Sequence, residues 1–285
     1  MKKITQGPKI FQAFLLLGFL CAPFFGVGLA EAQIQIMPLG DSITCGGGIG
    51  NAPNQSGYRD ELFTLLTARH LNFKFVGVSS QAQYASPQLI AAGDAGHNGY
   101  GAYTLGNLWT NIAGTTGPVP FPHGGSDNMG GYWLTGGGGT GRGEVIPDVI
   151  LLMGGINDIY QGHLATNSYL AGEAYMTDIL GWFRTNRPHT SVFVGAVTPV
   201  TNGLLVDPVY TTNWNTQIVT FNSWLKTNVP SYGANYHFVD QHAPFFTSGV
   251  LNTNALSIDG LHPNAAGYIL LGKSWANALS ANGIH

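Results

Sequence analysis

Val149-Ile150-Leu151-Leu152-Met153-Gly154-Gly155-Ile156-Asn157-Asp158 runs from five unbroken apolar residues into a glycine pair and then two polar side chains. A strand with one wet face would alternate apolar and polar residues. An uninterrupted run suits a central strand of a parallel sheet, covered on both faces. Upstream, Ile34 to Pro38 reads as a strand and Tyr58 to His70 as a helix, with Leu62, Leu65, Leu66 and Arg69 at helical spacing. Phe73 to Val78 reads as a second strand. Downstream, Ser168 to Phe183 reads as a helix, punctuated by Pro188, and Val192 to Val197 as a strand. Trp214 to Thr227 then reads as a helix, His237 to Val239 as a short strand, and Ala265 to Leu279 as a closing helix. Strands separated by helices predict an α/β fold of three layers (α/β/α) around a parallel sheet. Such sheets bind ligands beyond the carboxyl ends of their strands.

The N-terminus reads differently. Lys2, Lys3 and Lys9 precede an almost wholly apolar stretch, Phe11 to Ala30, and Ala30-Glu31-Ala32 fits a small-x-small cleavage site. Residues 1–32 are therefore expected to be a signal peptide, with a single domain over 33–285. The expected location is secreted, extracellular or periplasmic, with no stable membrane association after cleavage. Cleavage would remove three lysines and one glutamate, taking the net charge from −3 to about −5. That balance argues against nucleic acid as a partner. Charged residues are only 9% of the chain, so Gly, Asn, Thr and Ser carry its polar surface, as suits an extracellular protein facing carbohydrate. Of the two cysteines, Cys21 lies in the leader, so Cys45 has no partner for an intrachain disulfide and is expected to be a buried thiol.

One segment, about 111–144, has no periodicity. It is an apparent insertion rich in glycine, including Gly136 to Gly139, and carries Phe121, His123, Tyr132 and Trp133. A loop of this length inside a domain is functional or disordered. Both its flanks lead to residues considered next, so it is expected to border the active site and shape substrate preference.

Gly40-Asp41-Ser42-Ile43-Thr44 follows the first strand, which places Ser42 just past the carboxyl edge of the sheet. A serine hydroxyl needs a base to become a nucleophile at neutral pH. Asp259-Gly260-Leu261-His262 supplies one just before the final helix, with the carboxylate three residues from the imidazole and able to orient it. Acyl transfer also needs donors for a tetrahedral oxyanion. The candidates are the Asn157 side chain, the backbone N–H of Gly99 in His97-Asn98-Gly99-Tyr100, and the N–H of Ser42 itself. His97 is expected to support loop structure. Asp41, Tyr100, Tyr132 and Trp133 are candidate substrate contacts. His123, His163 and His242 lack metal-ligand spacing, and there is no His-Glu-x-x-His, so no metal or cofactor is expected. No Gly-x-Ser-x-Gly elbow occurs, unlike an ordinary α/β-hydrolase.

The blocks GDSIT (40–44), HNGYG (97–101), GINDI (155–159) and DGLHPN (259–264) resemble the signature blocks of the SGNH (GDSL) hydrolase superfamily. The resemblance implies a five-stranded parallel sheet of flavodoxin-like order. It places the superfamily's serine, glycine, asparagine and histidine on Ser42, Gly99, Asn157 and His262, and the triad aspartate on Asp259. The stretches IMPLGDSIT, SGYRDELFTLL, FKFVGVSSQ and AGHNGY are similar to family 3 carbohydrate esterases, which include acetylxylan esterases. Tyr100 stands where that family commonly has tryptophan. The resemblance implies a serine esterase acting on acetylated polysaccharide. Its rivals are a lipid or small aryl-ester esterase of the same superfamily, and a non-catalytic carbohydrate-binding protein on this scaffold.

Overall fold

The run Val149–Met153 is the middle strand of a parallel sheet, and all five of its residues are buried in the computed structural model of the protein. The structure describes residues 32–48, 56–79, 85–113, 134, 146–162 and 165–285. Residues 1–31 of the expected signal peptide lie outside the described residues, as do most of the glycine-rich insertion, His123, Tyr132, Trp133 and His163. In chain order the elements are β1 (Ile34–Gly40), α1 (Ser42–Cys45), α2 (Tyr58–Ala68), β2 (Phe73–Phe75), α3 (Pro87–Ala92), β3 (Asn98–Gly99) and α4 (Leu105–Ala113). There follow β4 (Val149–Met153), α5 (Ile156–Gln161), α6 (Tyr169–Asn186), β5 (Ser191–Gly195), α7 (Pro208–Asn228), β6 (Tyr236–Val239), the hairpin β7 (Phe246–Thr247) with β8 (Val250–Leu251), and α8 (Ala265–Ala281).

The main sheet runs β2-β1-β4-β5-β6 with every pairing parallel, and the two-residue β3 extends the β2 side of β1. Without β3 this is the flavodoxin-like order. Helices α2 and α8 pack together as one layer, and α4, α6 and α7 as the other. The direction of strand succession reverses between β1 and β4, so the crevice at their carboxyl ends is where such sheets bind ligands. In register, Gly40 at the end of β1 lies beside Met153 at the end of β4. The chain then turns into α1 on one side of the crevice and α5 on the other.

Helix α7 begins six residues before Trp214, where the sequence pattern placed it. Its first two turns hold Thr211, Thr212 and Asn213, which are weak helix formers. They are helical because Asp207 caps Val209 N–H at 2.9 Å, Pro208 opens the first turn, and Trp214, Ile218 and Phe221 are buried one face along. Strand β2 ends at Phe75, short of Val78, because the Asn98 side chain takes the Val78 N–H at 3.0 Å and leads the chain off the ladder toward β3. Among the described residues, no helix is long and apolar enough to cross a membrane.

Candidate active site

Ser42 is the first residue of α1, capped by Asp41, whose Oδ1 accepts the Ile43 N–H at 2.9 Å. The N–H groups of a helix's first turn have no partner four residues back, which leaves the Ser42 N–H available. Across the crevice, His262 Nε2 lies 2.8 Å from Ser42 Oγ, and His262 Nδ1 lies 2.9 Å from Asp259 Oδ2. A carboxylate can only accept, so the imidazole hydrogen sits on Nδ1 and Nε2 accepts the serine hydroxyl proton. Ser42 and His262 each keep 9% of their surface exposed, enough to be reached, while Asp259 is fully buried.

The Asp259–His262 turn is held by its own backbone. Asp259 Oδ1 accepts the N–H groups of Leu261 at 2.8 Å and His262 at 2.9 Å. Gly260 takes a left-handed φ of +78°, which permits this tight return. Burial alone would push the Asp259 carboxyl up. The hydrogen bonds and charge of His262, with help from Ser257, outweigh it and hold the group well below the usual carboxylate range. Asn264 closes the loop from behind. Its Nδ2 donates to the carbonyls of Asn254 at 2.7 Å and Leu256 at 3.0 Å, and its Oδ1 caps α8.

Asn157 stands in the first turn of α5, buried, and donates one Nδ2 hydrogen to the Tyr103 carbonyl at 3.0 Å. An amide NH2 has two hydrogens, so this bond fixes the side chain and leaves the second hydrogen for a ligand. The same helix grips the neighbouring loop twice more. Asp158 Oδ2 accepts the Leu105 N–H at 3.0 Å, and Gln161 Nε2 donates to the Ala102 carbonyl at 2.9 Å. Ala102 takes a left-handed φ of +60° between those anchors.

Three of the expected site residues are engaged within the protein itself. Gly99 was expected to offer its N–H to an oxyanion, but that N–H donates to His97 Nδ1 at 3.0 Å. Glycine is required there for a different reason. A Cβ at position 99 would lie 2.6 Å from the Cys45 nitrogen, because α1 packs directly against β3. Asp41 was a candidate substrate contact, but it is 1% exposed and serves as the α1 cap. Burial pushes its carboxyl up to about 7, against the pull of the Ile43 N–H and His262. Tyr100, the other described candidate contact, is also buried, with its ring stacked on Tyr103 at 5.1 Å. His97 supports loop structure as expected. Its backbone pairs with Ser79, its Nδ1 holds Gly99, and its buried Nε2 has no hydrogen-bond partner among the described residues. Cys45 is buried with its thiol against the Ser42 carbonyl at 3.2 Å, and burial pushes it up to about 12, an unreactive thiol.

Sequence reasoning missed one element. After β5, residues 201–205 form a strap hydrogen-bonded to the turn that carries Asp259: Thr201 N–H to the Gly260 carbonyl at 2.8 Å, Leu204 N–H to Ile258 at 3.1 Å, and Leu205 N–H to Asp259 at 2.9 Å. The paired close-approach glycines Gly203 and Gly260 were the available signal. A Cβ on either would overlap the backbone of the other segment.

A model of the GDSL-like lipase/acylhydrolase family matches residues 39–270, most of the chain and all the blocks assembled above. The chain belongs to that family. A multidomain esterase of Ruminococcus flavefaciens is 30% identical over 251 residues, which cover 86% of this chain and 28% of that larger protein. Among solved structures, the Clostridium thermocellum family 3 carbohydrate esterase shares 24% identity with a TM-score of 0.55, covering 88% of this chain and 96% of that one. A family 3 carbohydrate esterase from Talaromyces cellulolyticus shares 18% identity with a TM-score of 0.57, covering 87% and 97%. An acetylxylan esterase from Geobacillus stearothermophilus shares 16% identity with a TM-score of 0.51, covering 88% and 95%. At these identities the solved structures establish the fold of this family member.

Proposed function

We propose that the protein is a secreted serine esterase that removes acetyl groups from plant polysaccharide through an acyl-serine intermediate. The observation that carries the mechanism is the continuous hydrogen-bonded array from Ser42 Oγ through His262 to Asp259. Ser42 Oγ attacks the ester carbonyl carbon while His262 Nε2 takes its proton. The resulting oxyanion accepts from the Ser42 N–H and the second Asn157 Nδ2 hydrogen. Collapse expels the sugar alkoxide, which takes the proton back from His262. Water then attacks the acyl-serine with His262 again as base, releasing acetate and regenerating Ser42. Asp259 keeps the imidazole in the required tautomer and stabilises its cationic form.

The acetyl and polysaccharide assignment is supported by the likeness to carbohydrate esterases and by a chain poor in charged residues. Export is supported by the lysine-led apolar leader and by Ala30-Glu31-Ala32. Acetate release from acetylated xylan, set against hydrolysis of a medium-chain aryl ester, tests the substrate. Preference for the medium-chain ester would overturn the polysaccharide reading. A serine-directed phosphonate is expected to label Ser42, and an unlabelled protein would remove the esterase mechanism. The mature N-terminus of exported protein is expected at Gln33.

A further inference from the structure

We infer that the cleft lined by Tyr160, Leu204, Leu205, Asp207, Tyr210 and Trp214 is the subsite that holds the sugar ring carrying the ester. The inference rests on the polysaccharide reading and names where that substrate is gripped.

The cleft's two walls each carry part of the esterolytic apparatus. Tyr160 lies one turn beyond Asn157 on α5, and residues three apart share a helix face. The opposite wall is the strap whose Leu204 and Leu205 N–H groups bond to Ile258 and Asp259. The cleft is therefore walled by the helix that carries Asn157 and by the strap bonded to the turn that orients His262.

The lining has the chemistry a pyranose or pentose ring needs. Such a ring offers an apolar C–H face and a rim of hydroxyls. Trp214 forms the buried floor, with Tyr210 stacked over it at 5.3 Å and Tyr160 edge-on at 5.4 Å. These are rigid apolar surfaces with polar edges. Asp207 sits exposed at the mouth. One carboxylate oxygen accepts the Val209 N–H, and the carboxylate faces solvent where a sugar hydroxyl can donate to it. Leu204 is 69% exposed at the rim of the cleft, where the apolar C–H face of a ring can rest against it.

Size selects the sugar over the acyl group. The cleft holds about 270 Å³, roughly nine times the ~30 Å³ share of one water. An acetyl group would leave most of that volume empty, whereas a sugar residue is large enough to use it.

The test uses full-length mature protein and 4-nitrophenyl acetate hydrolysis, with deacetylated xylo-oligosaccharide as competitive inhibitor. The inhibition constant is expected to rise about tenfold in Tyr210→Ala, to stay near the wild-type value in Tyr210→Phe, and to rise again in Leu204→Glu. Leu204 is exposed, so its variant keeps the fold even where loss of the Tyr210 ring loosens α7. Inhibition constants unchanged in both Tyr210→Ala and Leu204→Glu would overturn the subsite, as would a wild-type protein the oligosaccharide does not inhibit. In those cases acetate release from acetylated xylan by the wild type would leave the polysaccharide reading standing. A wild type that cleaves the aryl acetate but releases no acetate from xylan would overturn that reading and this one together.

Discussion

Replacing Gly203 by alanine should damage catalysis without touching a catalytic side chain. The new Cβ would overlap the carbonyl carbon and oxygen of Asp259 and the nitrogen of Gly260, all closer than real Cβ contacts allow. These are backbone atoms, so no flexible side chain can swing aside. Restoring ordinary contact requires the strap or the Asp259 turn to move on the order of 1 Å. His262 Nδ1 is 2.9 Å from Asp259 Oδ2, and a retreat of that size takes the pair out of hydrogen-bond range. A misplacement of about 1 Å can cost roughly 10²-fold in rate, and we expect a loss of that order in kcat on 4-nitrophenyl acetate. Overpacking of this kind costs about 2 kcal/mol of stability, or roughly 5 °C in Tm for a domain of this size. Gly181→Ala is the matched control. It lies within α6 and its Cβ would meet nothing within 4 Å. Alanine there should leave kcat unchanged and raise Tm by roughly 2 °C, because glycine is about 1 kcal/mol the poorer helix former. A Gly203→Ala protein with kcat within threefold of wild type would refute the idea that the strap positions Asp259.

Ser42→Ala and His262→Ala should each lower kcat by about 10⁴-fold or more while leaving Tm and the circular dichroism spectrum near wild type, and near-normal turnover in either would end the proposed mechanism. Asn157→Ala should lower kcat by about 10²- to 10³-fold, toward the upper end because the Gly99 N–H is held by His97 and leaves few donors; a drop below tenfold would show that other groups carry the oxyanion. Asp41 is raised from its ordinary value of 3.8 to about 7 by burial, so between those values the folded state keeps a proton that the unfolded chain releases. Stability should therefore fall as pH rises from 4 to 7, and Asp41→Asn should flatten that slope in urea unfolding; parallel slopes in the two proteins would place the titration elsewhere.

What was legible in the sequence and what was not divides along a physical line. Acyl transfer restricts residue type, so Ser42, Asn157, Asp259 and His262 could be picked out by their chemistry and their places after strands or before a helix. Burial restricts composition, so β4 could be read as a central strand from its five apolar residues. Helix α7 was half legible, because its buried face shows in Trp214, Ile218 and Phe221 while its threonine-rich start does not. Gly99 shows the limit in another form. A glycine states that something comes close, but not what. Here the close neighbour is α1, and the Gly99 N–H turns to His97.

The strap over the Asp259 turn was invisible for the same underlying reason. Its three bonds to that turn run from backbone N–H to backbone carbonyl, and nearly any side chain is compatible with them. Only the demand for close approach leaves a mark, as Gly203 on one side and Gly260 on the other. The groups that perform chemistry therefore appear in the sequence as residue types, whereas the structure that aims them appears chiefly as missing side chains. It follows that glycines brought together in space, though 57 positions apart in the chain, are as much part of this site's specification as the serine and histidine. They are the positions where a single added methyl group should separate catalytic rate from the fold.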